Sequence, residues 1–89
     1  MPRVYFTSNL QRHLACPTEE VPGATVEQAL GAVFERNPRL RSYLLDDQGR
    51  LRKHVALYLN NQAIRDREGL SDPVAGSDEL FVFQALSGG

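Results

Sequence analysis

The stretch D-E-L-F-V-F-Q-A-L-S-G-G, Asp78 to Gly89, ends the sequence and decides how the fold is interpreted. Leu80 to Phe83 is an unbroken apolar run whose composition favours a β-strand. The residues that follow have little to pack, and glycine lacks the Cβ that would keep it out of a narrow passage. We therefore expect a packed strand that continues into a thin, flexible tail over residues 85–89. The candidate functional residues of this tail are Leu86, Ser87, Gly88 and Gly89.

The carboxylate of Gly89 is the candidate functional group, and the rest of the chain would be a rigid body that presents it. The alternative is an ordinary frayed end, because chain termini are commonly disordered. The apolar strand directly before the glycines, and the absence of any residue after Gly89, favour the functional interpretation. The sequence leaves open whether Gly89 is the native terminus or results from trimming.

Length and composition predict one globular domain spanning residues 1–89. A chain of 89 residues buries roughly 60–65% of its unfolded surface, which is enough for one small core but not for a deep active site with its supports. The net charge of −1 gives no global field that would attract nucleic acid or acidic lipid. The single cysteine excludes an internal disulfide and a cysteine-rich metal site. We therefore expect no bound cofactor or metal and no nucleic-acid partner.

The start of the chain predicts a cytoplasmic protein without a membrane partner. Met1 to Phe6 leads into a short strand-like run rather than into the apolar region of a secretory signal. No apolar run approaches the roughly 20 residues that span a membrane.

The first half of the chain predicts two strands. Arg3 to Thr7 contains three good strand formers, and a turn follows at Ser8-Asn9. A second extended segment runs from His13 to Val21, and Pro17 makes it an edge strand or a broken one. Pro22-Gly23 then turns the chain.

The segment after this turn predicts an amphipathic helix. Thr25 is a suitable N-cap, and Gln28 three residues later completes a capping box. Asn37-Pro38 ends the helix, because proline disfavours helical geometry in the residue before it. Gly31 costs about 1 kcal/mol relative to alanine, and we expect it to allow close packing on the sheet. The apolar stripe consists of Val26, Ala29, Leu30, Val33 and Phe34.

The second half predicts strands joined by turns and one plugged loop. Pro38 to Leu45 forms either a short second helix or an irregular crossover. Lys53 to Leu59 alternates apolar and other residues, as a half-buried strand does. A very short strand lies around Ile64. Gly69 to Ala75 is a loop that inserts two side chains, Leu70 and Val74, into the core.

This order of elements predicts an α+β protein with the β-grasp (ubiquitin-like) fold. We expect a mixed sheet of four to five strands with one main helix packed across one face. The first and last strands would lie side by side and parallel at its centre. If Leu80 and Val82 point into the core, the two-residue period sends Phe81 and Phe83 to the opposite face. Tyr58 lies on the same outer face.

These three aromatic residues are the candidate partner-binding surface, because an exposed apolar patch commonly marks an interaction site. The alternatives are that a loop or a second copy of the chain covers the patch, or that the strand is buried on both faces.

Other candidates are weaker. Cys16 has no catalytic arrangement around it and is interpreted as a small buried thiol. His13 and His54 lack a metal-site spacing. The basic stretch from Arg36 to Lys53 contains only one aromatic residue to stack on bases, so a solvated or partner-facing surface is favoured.

Two longer motifs, together with the terminal S-G-G, resemble the ubiquitin-like sulfur carriers of the MoaD/ThiS type. The motifs are H-V-A-L-Y-L-N-N-Q-A-I-R (His54 to Arg65) and G-L-S-D-P-V-A-G-S-D-E-L (Gly69 to Leu80). Ser77 stands where the family has glycine directly before aspartate. The run L-R-K-H-V-A-L-Y-L-N-N is most similar to the cysteine-synthesis (CysO-type) group. The residues that match the family pattern are Asn60, Gly69, Leu70, Asp78, Gly88 and Gly89.

The resemblance implies a carrier protein rather than an enzyme. An E1-like adenylyltransferase would use ATP and magnesium to convert the Gly89 carboxylate into an acyl-adenylate. A sulfur donor would then displace AMP and leave a thiocarboxylate. A sulfur-accepting synthase for cysteine, molybdopterin or another metabolite would take the sulfur, and the chain could be the small subunit of a molybdopterin-synthase-type complex. The alternative is a ubiquitin-like interaction module or a protein modifier conjugated through Gly89.

Overall fold

The computed structural model describes residues 1–6 and 18–84. Along these residues, two strands are followed by two helices and then by three strands. The predicted turn at residues 8–9, the start of the second strand at 13–17 and the tail at 85–89 lie outside the described residues. The elements are β1 (Arg3–Phe6), β2 (Glu19–Glu20), α1 (Val26–Arg36), α2 (Arg39–Leu44), β3 (Val55–Leu59), β4 (Gln62–Ala63) and β5 (Glu79–Gln84).

The strands form one mixed sheet in the order β2-β1-β5-β3-β4. β1 and β5 are parallel, and their register pairs Val4 with Leu80 and Phe6 with Val82. The three other strand pairs are antiparallel. The predicted β-grasp architecture is therefore confirmed, including the parallel first and last strands at the centre of the sheet.

The inner face of the sheet forms one side of the hydrophobic core. Leu80 and Val82 are 0% and 1% exposed, which agrees with the two-residue period predicted for β5. The neighbouring strands bury side chains at matching positions, because paired residues share a face. Those residues are Val4 and Phe6 on β1, and Val55 and Leu57 on β3.

Helix α1 begins and ends where the sequence predicts. The Oγ1 atom of Thr25 accepts a hydrogen bond of 3.2 Å from the backbone N–H of Gln28. The Gln28 side chain accepts one of 2.8 Å from the N–H of Ala24, one residue before the cap. At the other end, the N–H of Asn37 closes the last turn on the carbonyl of Val33. All five residues of the predicted apolar stripe are buried.

The segment after Pro38 forms a short second helix beside the main helix α1. Pro38 has a φ of −59°, which suits the start of a helix. Leu40 and Leu44 are completely buried and join the core. The sequence left a helix and an irregular crossover open here, and α2 is a helix of six residues.

The loop before β5 caps helix α1 while it fills the core. Leu70 and Val74 are 2% and 7% exposed, which confirms both as core residues. The loop carbonyl of Leu70 accepts the N–H of Glu27 at 2.8 Å. The carbonyl of Asp72 accepts the N–H of Val26 at 3.0 Å. These bonds satisfy two of the donors that a helix N-terminus leaves unpaired.

The expectation for Gly31 is wrong. A Cβ atom built at Gly31 meets nothing within 4 Å among residues 1–6 and 18–84, apart from the backbone of its own helix. The glycine therefore faces open space rather than a closely packed sheet. It brings the usual entropic cost of glycine in a helix with no packing gain.

Replacing Gly31 with alanine should raise the free energy of unfolding by about 0.5–1 kcal/mol. For a domain of this size that corresponds to an increase in Tm of about 4–8 °C per kcal/mol. The matched control is Gly23→Ala. Gly23 has a φ of 155°, and a Cβ there would lie 2.7 Å from the backbone nitrogen of Ala29, so this variant should be destabilised. Urea denaturation measures the unfolding free energy of both variants. Equal changes for the two would contradict the open surroundings of Gly31 and the crowded surroundings of Gly23.

Candidate functional site

The outer face of the sheet carries a row of four aromatic side chains, here called the aromatic face: Tyr5, Phe81, Phe83 and Tyr58. The rings of Tyr5 and Phe81 stack with centroids 4.9 Å apart and an angle of 12°. Tyr58 meets Phe83 edge to face at 5.5 Å. Phe81 and Phe83 follow each other along β5 at 6.5 Å. The row therefore crosses the three central strands as one contiguous apolar surface.

The structure places all three residues predicted for partner binding on this face. Phe83 and Tyr58 are 43% and 38% exposed, while Phe81 is half-buried between neighbouring rings. These exposures exclude the alternative in which β5 is buried on both faces. The binding role of Phe81, Phe83 and Tyr58 stays a prediction, because a surface can be exposed without having a partner.

Tyr5 belongs to the aromatic face, although sequence reasoning did not select it. Val4 and Phe6 are buried, so the period of two turns Tyr5 outward. Its hydroxyl donates a hydrogen bond of 2.8 Å to Oε2 of Glu79, which fixes the ring beside Phe81. Alternation within β1 was the signal that could have identified it.

An open groove of about 710 Å³ lies along the aromatic face. The side chains of Tyr58, Phe81 and Phe83 give it an apolar floor, and Ala56 completes that floor. Polar and cationic residues that flank β3 in sequence, and one from the loop after β4, form its rim. The rim residues are Lys53, His54, Asn60, Asn61 and Arg67. The predicted patch is thus the apolar floor of a groove that has a polar and cationic rim.

Two of the family-pattern residues act as a clamp at the start of β5. Asn60, at a φ of 56°, exchanges backbone and side-chain hydrogen bonds with Glu79 at 2.7 and 3.0 Å. Its amide nitrogen donates to Oδ1 of Asp78 at 3.1 Å. The N–H of Ala75, followed by the Asn60 amide, lowers the pKa of the Asp78 carboxyl. Asn60 and Asp78 therefore position the start of β5.

Asp66 holds the loop that contains the matching Gly69-Leu70 pair. Its carboxylate accepts the Ser71 hydroxyl at 2.6 Å and the Gly69 N–H at 2.8 Å. The N–H groups of Ser71 and Glu68 add longer bonds of 3.3 and 3.2 Å. The Ser71 hydroxyl, with the Gly69 N–H next, lowers the pKa of Asp66 from 3.8 to about 2. The loop is thus tied to the charged form of one aspartate.

The remaining chemical candidates do not assemble into a site. Within residues 1–6 and 18–84, no three His, Cys, Asp or Glu side chains are grouped so that they could hold a metal ion. His13 and Cys16 lie outside the described residues, and His54 lies on the groove rim. Neither α1 nor α2 has the length and hydrophobicity needed to cross a membrane.

The fold and the clamp at the base of β5 define a small ubiquitin-like β-grasp protein. The model of the ThiS family matches residues 9–89. The chain therefore belongs to the ThiS family, in agreement with the resemblance seen in its motifs.

Comparison with known proteins supports the same assignment. Small archaeal modifier protein 1 of Haloferax volcanii is 36% identical over 66 residues, which cover 74% of this chain and 71% of that protein. Its crystal structure superimposes with a TM-score of 0.79 at 30% identity, over 99% of this chain and 98% of the other. A chain of the BexX/CysO complex of Amycolatopsis orientalis gives a TM-score of 0.85 at 26% identity, with both chains fully covered.

These relationships identify the protein as a ubiquitin-like small modifier or sulfur carrier. The similar proteins are carriers and modifiers and not catalysts, which confirms the prediction that the chain is not an enzyme. The CysO relative was crystallised together with BexX, so that protein forms a complex with a partner.

Replacing Asp66 with asparagine should weaken the acid dependence of stability. Because its folded pKa is depressed to about 2, Asp66 contributes stability above pH 4 that is lost as the pH falls toward 2. The slope of the unfolding free energy against pH reports how many more protons the unfolded state binds than the folded state. In this pH window, that difference should be smaller in the variant by up to about one proton. Urea denaturation between pH 5 and 2 measures it. The exposed Asp47→Asn is the control, and equal slopes for both variants would contradict the role of Asp66.

Proposed function

We propose that this protein is a sulfur carrier whose Gly89 carboxylate is adenylated by an E1-like enzyme and converted to a thiocarboxylate. The observation that carries the proposal is the position of β5. This strand pairs with β1 on one side and β3 on the other, and it ends at Gln84, five residues before Gly89. A strand held on both edges gives the tail a fixed root. Membership of the ThiS family supports this interpretation.

The chemistry needs activation because a carboxylate is a poor electrophile. A Gly89 oxygen attacks the α-phosphorus of ATP, pyrophosphate leaves, and an acyl-adenylate forms. A sulfur donor then attacks the carbonyl carbon, AMP leaves, and sulfur replaces one carboxylate oxygen. The partner enzyme supplies ATP, magnesium and catalysis. The carrier supplies the carboxylate and the surface that is recognised.

The length of the tail suits a deep partner pocket. Residues 85–89 span about 17 Å when extended, at 3.3–3.6 Å per residue. Gly88 and Gly89 have no side chain, so the last part of the tail fits a narrow channel. The bulk of the domain then stays outside the partner's active site.

The aromatic face is the proposed docking surface for the adenylyltransferase. Phe83 and Tyr58 are the exposed members of the row, and Phe81 supports both. Aromatic residues are enriched at the energetic centres of protein interfaces. The face is made in part by β5 itself, so a partner bound there is next to the root of the tail.

The sulfur is then passed to a synthase that makes cysteine, molybdopterin or another sulfur-containing metabolite. The similarity to a chain of the BexX/CysO complex supports a carrier that acts with partner enzymes. We place this exchange in the cytoplasm, where ATP is available. The genes next to this one would identify the acceptor.

A second candidate function is protein modification through Gly89. The 36% identity to a small archaeal modifier protein favours it. The two functions share the acyl-adenylate and differ in the nucleophile, which is sulfur in one case and a lysine amine in the other. One experiment separates them: incubation with the E1-like enzyme, ATP, sulfide and an acceptor protein. Mass spectrometry distinguishes the exchange of one oxygen for sulfur from attachment to lysine.

Deleting Gly89 should abolish activation and leave the fold intact. The deletion shortens the tail by one residue, about 3.3–3.6 Å of reach, and moves the terminal carboxylate to Gly88, while every core residue of residues 1–6 and 18–84 is retained. ATP–pyrophosphate exchange should fall to background, and Tm should stay within about 2 °C. The control is Gly76→Ala in the turn before β5. A deletion variant as active as the wild type would disprove the tail mechanism.

Replacing Phe83 with serine should impair docking more than stability. The KM for the carrier should rise about tenfold with kcat nearly unchanged, as for loss of one aromatic anchor. The unfolding free energy should fall by less than about 1 kcal/mol, because the ring is partly exposed. Gln62→Ser, on edge strand β4, is the control. An unchanged KM for Phe83→Ser would exclude the aromatic face as the docking surface.

A further inference from the structure

Arg67 is held in a fixed position at one end of the groove. Its Nη2 atom donates to the backbone carbonyls of Arg52 and Val55 at 2.8 and 2.7 Å. Both carbonyls lie at the entry to β3, so the guanidinium is anchored to the sheet while it lines the groove. A planar group fixed through one nitrogen still offers the donors on Nη1 and Nε, in the geometry that matches a carboxylate.

The charge at this end of the groove has no carboxylate beside it among the described residues. The ion pairs found there are Arg3–Glu20, Arg36–Glu19 and Arg50–Asp46, and none of them involves Arg67 or Lys53. The described residues that line the groove include no Asp or Glu. Two cations thus face an apolar floor that cannot neutralise them.

This cationic end lies where the tail begins. The register pairs Val55 with Gln84, the last residue of β5. Lys53 precedes Val55 by two residues and lines the same groove as Phe83. A partner group bound to Lys53 and Arg67 is therefore next to the root of the tail.

We propose that Lys53 and Arg67 bind a carboxylate of the E1-like partner, carried by a segment whose apolar residues cover the aromatic face. This inference rests on the proposed function and names the chemistry of the partner surface. Charge complementarity selects the occupant, because cations without a carboxylate partner among the described residues, beside an apolar floor, favour an acidic side chain flanked by apolar ones. A polyanion such as nucleic acid is disfavoured, since the chain has a net charge of −1.

The two cations fix the orientation of the docked partner. An apolar contact alone is not directional, whereas an Arg–carboxylate pair sets a distance and an angle. Contact at the tail end of the groove aligns the partner's pocket with the tail. Charges at an interface rim also accelerate association, so the effect is expected in KM and in its dependence on salt.

The test measures adenylation by the E1-like enzyme of the same genome, using full-length Lys53→Glu and the control Arg41→Glu. Arg41 is an exposed cation on α2, away from the groove. Lys53→Glu should raise KM about fivefold at low salt, the effect of one partly exposed charge pair, with kcat retained. Its KM should also change less with ionic strength than that of the wild type. Arg41→Glu should match the wild type.

The KM of Arg67→Gln provides a second measurement. Because Arg67 also supports the backbone, circular dichroism must first show that this variant folds. Equal KM values for Lys53→Glu and Arg41→Glu would overturn the inference and leave the proposed function intact. Faster activation of Lys53→Glu would also overturn it, because the groove would then hold the chain's own carboxylate. No activation of the wild-type protein would overturn the proposed function, and this inference with it.

Discussion

The parallel pairing of β1 with β5 is the constraint on which the rest of the structure depends. Two parallel strands cannot be joined by a tight turn, so the chain between them must cross from one end of the sheet to the other. Helix α1 belongs to this connection, between β2 and β3, and buries its apolar stripe in the core. The strands β3 and β4 then extend the sheet on the far side of β5. The last strand is thereby central, although it is formed from the end of the sequence.

This arrangement also divides the two faces of the sheet between stability and recognition. One face is filled by the helices, and the alternation along β5 sends Leu80 and Val82 into that core. The same alternation leaves Phe81 and Phe83 on the opposite face, which neither described helix covers. The rings there contact one another, but Phe83 and Tyr58 keep apolar area exposed, of the kind that commonly marks an interaction site. A single strand therefore contributes to the core, carries the two phenylalanines of the aromatic face and precedes the last five residues of the chain.

Much of the fold was predictable because it depends on local patterns. The N-cap at Thr25 and the alternation in β5 needed only spacing and residue type, and so did the core role of Leu70. The features that the sequence predicted wrongly, or did not predict, depend on tertiary structure. Gly31 was assigned a packing role that only a neighbouring element could give it, and no strand of the described sheet lies near it. Arg67 entered the groove because its guanidinium reaches carbonyls twelve and fifteen residues earlier, which no motif encodes.

The position of β5 has a mechanical consequence. A partner that draws in the last glycines pulls along the axis of this strand, since the tail continues from Gln84. The inter-strand bonds on both edges lie across that direction, so they are loaded together in shear and cannot peel apart one after another. At the opposite end of the strand, Asn60 ties Glu79 to the neighbouring turn and anchors the start of the loaded element. The domain is therefore expected to resist unfolding when it is pulled by this end.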